Sequence, residues 1–158
     1  MLSEGDTAPD FVLPGTDGDE IGLFALADAL EQGPAVIAFY RFDFHPACTD
    51  QVCAIRDLEW FEFMAGTRTV AISTDSAFSH RAFAREHDID FPLLSDDTGT
   101  VSDTYGVLSD GVADHGLVSN RATFVVDTDW TVRYAWAADD LDDKPDLRPV
   151  KRTLESMA

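Results

Sequence analysis

Cys48 and Cys53 are the only cysteines in the chain, and they stand five apart in HPACTDQVCAIRD, directly after the apolar stretch PAVIAFY. An apolar run feeding a helical pattern places Cys48 at a strand-to-helix junction. The unpaired amides and partial positive charge of a helix N-terminus favour a thiolate there. Pro46 suits the first helical turn, and the pattern after it predicts a helix running through Met64. On that helix Cys48, Val52 and Ile55 share a face, while Cys53 is offset by roughly 140° and roughly 7.5 Å along the axis. The sulfurs therefore point apart, and a disulfide between them requires the first turns to unwind.

Paired cysteines also serve zinc sites and thioredoxin-type dithiols, but both use two intervening residues, whereas four intervene here. No pair among His45, His80, His87 and His115 has ligand spacing, so no metal site is expected. Two buried, inert thiols remain the alternative to a reactive one on these residues alone.

The elements that must position the thiols are legible as an alternation of strands and helices. GTDG predicts a hairpin between Phe11–Leu13 and Glu20–Leu23, followed by a short helix at Ala25–Leu30. Val36–Tyr40 reads as a buried central strand and Thr69–Ser73 as a second. A helix at Ala77–His87 is capped by Ser76. Pro92–Leu94 suits a short strand and Thr98–Tyr105 a short helix. Ala122–Val126 and Thr131–Trp136 form a hairpin across DTDW, and a last helix covers Pro145–Ser156. The pattern predicts an α/β fold, one domain over 1–158, with a mixed central sheet and helices on both faces.

Thirty acidic against eleven basic side chains give a net charge of −19, which repels phosphate backbones and anionic membrane surfaces. Neither nucleic acid nor membrane is an expected partner. The acids are dispersed and only Lys144 and Lys151 represent lysine, a surface suited to high salt and a halophilic source. Negative charge also opposes thiolate formation, so a reactive cysteine here needs a local cation. No apolar run is long enough to span a membrane, and MLSEGDTAPD lacks a signal core, so a cytoplasmic location is expected.

In order, GDTAPDFVLPGTDG, AFY, CTDQVCAIRD, AISTDS, FPLLSDDTG, YGV and RATFVVD resemble the peroxiredoxins, specifically the bacterioferritin comigratory or Q-type subgroup of the AhpC/TSA family, over residues 5 to 137. The resemblance implies a thioredoxin-like fold and a thiol peroxidase without a cofactor, acting on hydrogen peroxide or alkyl hydroperoxides and recycled by a thioredoxin-like donor. It makes Cys48 the peroxidatic cysteine and Cys53 the resolving one, with a Cys48–Cys53 disulfide as the oxidised product. Arg121, in RATFVVD, matches the active-site arginine, and Gln51 a position that orients it. The subgroup likeness also implies a monomer or dimer.

One segment departs from the family pattern P-x-x-x-[ST]-x-x-C, since Arg41 and His45 stand where it has proline and a hydroxyl residue. His45 can donate, accept or stabilise a thiolate as imidazolium, and could instead cap the helix. Arg41 could add positive potential beside Cys48 or pair with Asp43, and Phe42 and Phe44 could supply the proline's shielding. This departure keeps a second reading open, a non-enzymatic redox sensor or thiol–disulfide relay on the same fold.

Overall fold

The computed structural model describes residues 1–57, 66–111, 114–139, 143 and 145–157. Its strands in chain order are β1 (Val12–Thr16), β2 (Ile21–Ala25), β3 (Ala35–Phe39), β4 (Arg68–Ser73), β5 (Leu93–Ser95), β6 (Leu108–Ser109), β7 (Val118–Ser119), β8 (Ala122–Val126) and β9 (Val132–Ala137). The described helices are α1 (Leu26–Leu30), α2 (Pro46–Arg56), α3 (Ala77–His87), α4 (Thr100–Thr104) and α5 (Arg148–Ser156). Seven strands join in the order β2-β1-β5-β4-β3-β8-β9, and β6 pairs with β7 apart from them. β3, β4 and β5 run parallel, while β8 lies antiparallel to β3 with Phe39 opposite Ala122.

β3 is apolar throughout because both of its faces are covered. With a side-chain period of two, Ile37 and Phe39 join Leu26 and Leu30 of α1 and Val101 of α4 on one face. Tyr105 and Phe124 meet Phe39 there, with ring centroids 5.4 and 5.9 Å from it. Ala38 and Tyr40 face the other way, against Cys48, Val52 and Ile55 of α2 and Phe83 and Ala84 of α3. Val36, on that same side, packs with Val150 and Leu154 of α5. The mixed sheet covered by helices on both faces is the architecture expected from the alternation.

The helix expected through Met64 is present to Arg56, where Asp57 caps it by donating its amide to the Cys53 carbonyl; residues 58–65 lie outside the described residues. The first hairpin extends further than GTDG suggests. Gly15 and Thr16 continue β1, and the turn is made by Asp17, whose Oδ1 accepts from the Asp19 and Glu20 amides. The last helix starts at Arg148 rather than Pro145, and the β6–β7 pair was not anticipated, its two-residue strands being too short to show a pattern.

Candidate active site

The Cys48 thiol sits in the first turn of α2, which His45 opens in an extended conformation and Pro46 continues at the first helical position. Thr49 closes the first helical bond by donating to the His45 carbonyl at 2.8 Å. Cys48 is fully buried, and its Sγ accepts the Arg41 backbone amide at 3.4 Å, so the loop from β3 to α2 folds back over the sulfur. Cys53 is also a free thiol, partly exposed one and a half turns along the intact helix. Burial pushes its pKa upward, with the nearby Arg56 guanidinium opposing the shift.

β8 delivers the arginine. Phe39 pairs with Ala122, so Arg121 stands opposite Tyr40 at the sheet end from which the Cys48 loop departs. Arg121 is buried, and its carbonyl accepts from the Ala138 amide at 2.8 Å. The Arg41 side chain reaches the same corner, its Nη2 donating to Asn120 Oδ1 at 3.4 Å. Arg41 is therefore joined to Asn120 and not to Asp43, correcting the expected strand-end ion pair. Asn120 was not read as part of the site, because only the β7–β8 corner brings it there.

Gln51 is buried on α2 and donates from Nε2 to the Phe39 carbonyl at 3.1 Å, tying the helix to the end of β3. Its Oε1 accepts no hydrogen bond, and an arginine can only donate, so no direct bond joins Gln51 to Arg121. His45 makes no side-chain cap bond, which corrects the capping alternative, and its buried Nδ1 has no hydrogen-bond partner. Arg41 Nε and Thr123 Oγ1 complete the set of buried side-chain polar atoms without a partner among the described residues. Thr123 pairs with Ala38, which packs in the Cys48 cluster. These four atoms belong to the loop before α2, to α2 itself and to β8.

The two phenylalanines of the loop behave differently. Phe42 packs beside His115 and His45, with ring centroids 5.1 and 6.4 Å away. Phe44 adopts a left-handed backbone at φ +66°, is 52% exposed and packs on Phe83 of α3 at 5.2 Å, so it does not supply the expected shielding of Cys48. Among the described residues no three His, Cys, Asp or Glu side chains form a group able to hold a metal ion. No described helix is long and apolar enough to cross a membrane.

A family model described as the AhpC/TSA family matches residues 4–135. The chain is 40% identical over 130 residues to a putative peroxiredoxin of Mycobacterium tuberculosis, covering 81% of this chain and 80% of that protein. It is 36% identical over 135 residues to the chloroplastic peroxiredoxin Q of Triticum aestivum, covering 85% of this chain but 59% of that protein, so it spans about three-fifths of that relative's length. The crystal structure of peroxidoxin BcpB from Mycobacterium tuberculosis superposes with a TM-score of 0.86 at 34% identity, over 100% of this chain and 99% of that one. The fold and these likenesses together make the chain a member of the AhpC/TSA family, a thioredoxin-fold peroxiredoxin alongside relatives of the Q and Bcp type.

Proposed function

We propose that the protein is a thiol-dependent peroxidase for hydrogen peroxide or small alkyl hydroperoxides. The Cys48 thiolate attacks one peroxide oxygen; the O–O bond breaks, an S–O bond forms, and the remaining oxygen takes up the proton released when the thiol ionised and leaves as water or alcohol. The Cys53 thiol then displaces the hydroxyl of the Cys48 sulfenic acid, releasing water and forming the disulfide. A thioredoxin-like dithiol supplies two electrons and two protons to restore both thiols.

In this reading Arg121 binds the charge that develops on the peroxide oxygens. His45 and Arg41 take over from the family's hydroxyl and proline, offering Nδ1 and Nε to the substrate, while Gln51 fixes α2 against β3 and leaves Oε1 for a substrate hydroxyl. The observation that carries the proposal is a buried thiol in the first turn of α2, held by the Arg41 backbone amide, with the buried Arg121 at the sheet end from which its loop departs. No feature of the site favours the sensor or relay reading. Steady peroxide consumption with a thioredoxin system, abolished in Cys48→Ser and strongly reduced in Cys53→Ser, is the expected result. A single stoichiometric oxidation without turnover would contradict it.

We further propose that the chain is one domain, a monomer or dimer, located in the cytoplasm of a cell with high internal salt. The thermal midpoint should then rise between dilute buffer and molar KCl, as screening relieves the −19 net charge. A midpoint that is flat or falls with salt would remove the halophilic part of the proposal.

A further inference from the structure

Beside the thiol pocket lies a second group of buried titratable side chains, built on the loop that leads to Cys48. Asp43 Oδ1 accepts the Tyr40 hydroxyl at 2.6 Å and Oδ2 accepts the Ser79 hydroxyl at 2.7 Å. His80 Nδ1 lies 3.0 and 2.8 Å from these two oxygens and 3.1 Å from the Tyr40 oxygen. His80 Nε2 is 2.9 Å from the Leu94 carbonyl oxygen, and the Asp43 amide donates to Asp75 Oδ2 at 2.7 Å. The side chains of His80 and Asp43 are 0% and 1% exposed.

The partners fix the protons. A carbonyl only accepts, so Nε2 carries a hydrogen. Nδ1 faces a carboxylate that already receives two hydroxyl donors, and a bare lone pair there would oppose an anion out of reach of water, so Nδ1 carries a hydrogen too. His80 is thus an imidazolium paired with the Asp43 carboxylate. From β3 the pair faces Tyr40, whose phenol is held far above its ordinary pKa by burial first and by the Asp43 charge second, so it stays a donor. From the segment between β4 and α3 it faces Asp75, whose carboxyl is raised chiefly by burial. From α3 it faces the Ser79 hydroxyl, and from β5 only the Leu94 carbonyl.

The pair reaches Cys48 through five residues of backbone. Arg41, on one side of Asp43, donates its amide to the Cys48 sulfur, and Phe44, on the other side, holds the left-handed φ that bulky residues avoid. Such a conformation persists when its surroundings over-determine it, and Asp43 is the loop residue fastened to α3 through Ser79 and His80 and to the segment before α3 through Asp75. We infer that His80 and Asp43, with Tyr40 and Ser79, are positioning residues that hold the Cys48 thiol in its reactive place through the hydrogen bonds that fasten its loop to α3. This rests on Cys48 being the peroxide-reactive thiol.

The test reads the His80 ring nitrogens by 15N NMR in the reduced full-length protein, beside stopped-flow rates of Cys48 oxidation by hydrogen peroxide and of the disulfide-forming step that follows. Expected are hydrogens on both ring nitrogens. In His80→Gln, with native circular dichroism, the peroxide rate should be about tenfold to a hundredfold lower while the disulfide-forming step keeps its rate. A bare Nδ1, a folded His80→Gln at the wild-type peroxide rate, or an equal loss in both steps would overturn the inference. Where His80→Gln does not fold, Ser79→Ala takes its place: it removes one hydroxyl donor from Asp43, and a peroxide rate within twofold of wild type overturns the inference. A Cys48 that takes no oxygen from peroxide at any pH would sink the proposed function and this role with it, while the ring signals still report the pair separately.

Discussion

Two turns in this molecule each hold an aromatic residue in the left-handed region, Phe44 at φ +66° before α2 and Trp130 at φ +67° between β8 and β9. Each is organised by an aspartate, and the resemblance stops there. Asp127 is satisfied locally: its Oδ1 accepts the Asp129 and Thr131 amides, and its Oδ2 pairs with the half-exposed Arg133 at 2.8 Å. Asp43 has one local partner, the Tyr40 hydroxyl, and takes the rest from Asp75, Ser79 and His80, which are 32, 36 and 37 residues away in sequence. The aspartate of the β8–β9 turn bonds only within its hairpin, although the turn itself also meets the N-terminal segment, where the Ala8 amide donates to the Trp130 carbonyl at 2.7 Å. The Cys48 loop is a tertiary structure, held in place by packing that must already be correct.

Exchanging each aspartate for asparagine sharpens this contrast most. Asp43→Asn should cost about 3–5 kcal/mol of unfolding free energy, because it leaves His80 without its buried counter-charge. Asp127→Asn keeps an acceptor for both amides and loses only a half-exposed ion pair, so it should cost under about 1 kcal/mol. It should leave the Cys48 oxidation rate unchanged. Equal losses from urea titration of the two variants would erase the distinction between the turns.

Next in size, Arg121→Met keeps bulk and removes the cation from the sheet end, and should slow Cys48 oxidation about a hundredfold. A stopped-flow rate within twofold of wild type would mean that the Arg121 charge does not act on the peroxide. The smallest expected effect is on the second step. Burial raises the Cys53 pKa, so at neutral pH this thiol is more protonated than a free cysteine. The thiolate fraction grows as pH climbs through that raised value, and the disulfide-forming rate should climb with it. A rate that falls over that range would place the controlling titration elsewhere.

The same contrast explains what the sequence made legible. α3 and β8 begin and end where their patterns place them, because Ser76 caps the helix through the Ser79 amide and ATFVV is a short apolar run between turn signals. The thiol at the mouth of a helix, and the outward offset of Cys53, follow from local rules as well. His80 falls on the buried face of α3 with Ala77 and Ala84, so its burial was readable from spacing, but its partner was not. Asp43 lies in another element, and nothing near either residue names the other. For the same reason Arg41 looked like a partner for Asp43, two positions away, whereas the fold carries it to Asn120. The bond by which Gln51 fastens α2 to the Phe39 carbonyl likewise joins two elements, and no local pattern names it.

The most direct test of the account is the intact mass of the reduced protein, in high salt, after brief exposure to one equivalent of hydrogen peroxide. The account predicts that the wild type loses the mass of two hydrogens as Cys48 and Cys53 join. It predicts that Cys53→Ser gains one oxygen, mapped by a sulfenic acid trap to Cys48. An unmodified mass in both proteins, with native circular dichroism retained, would contradict it.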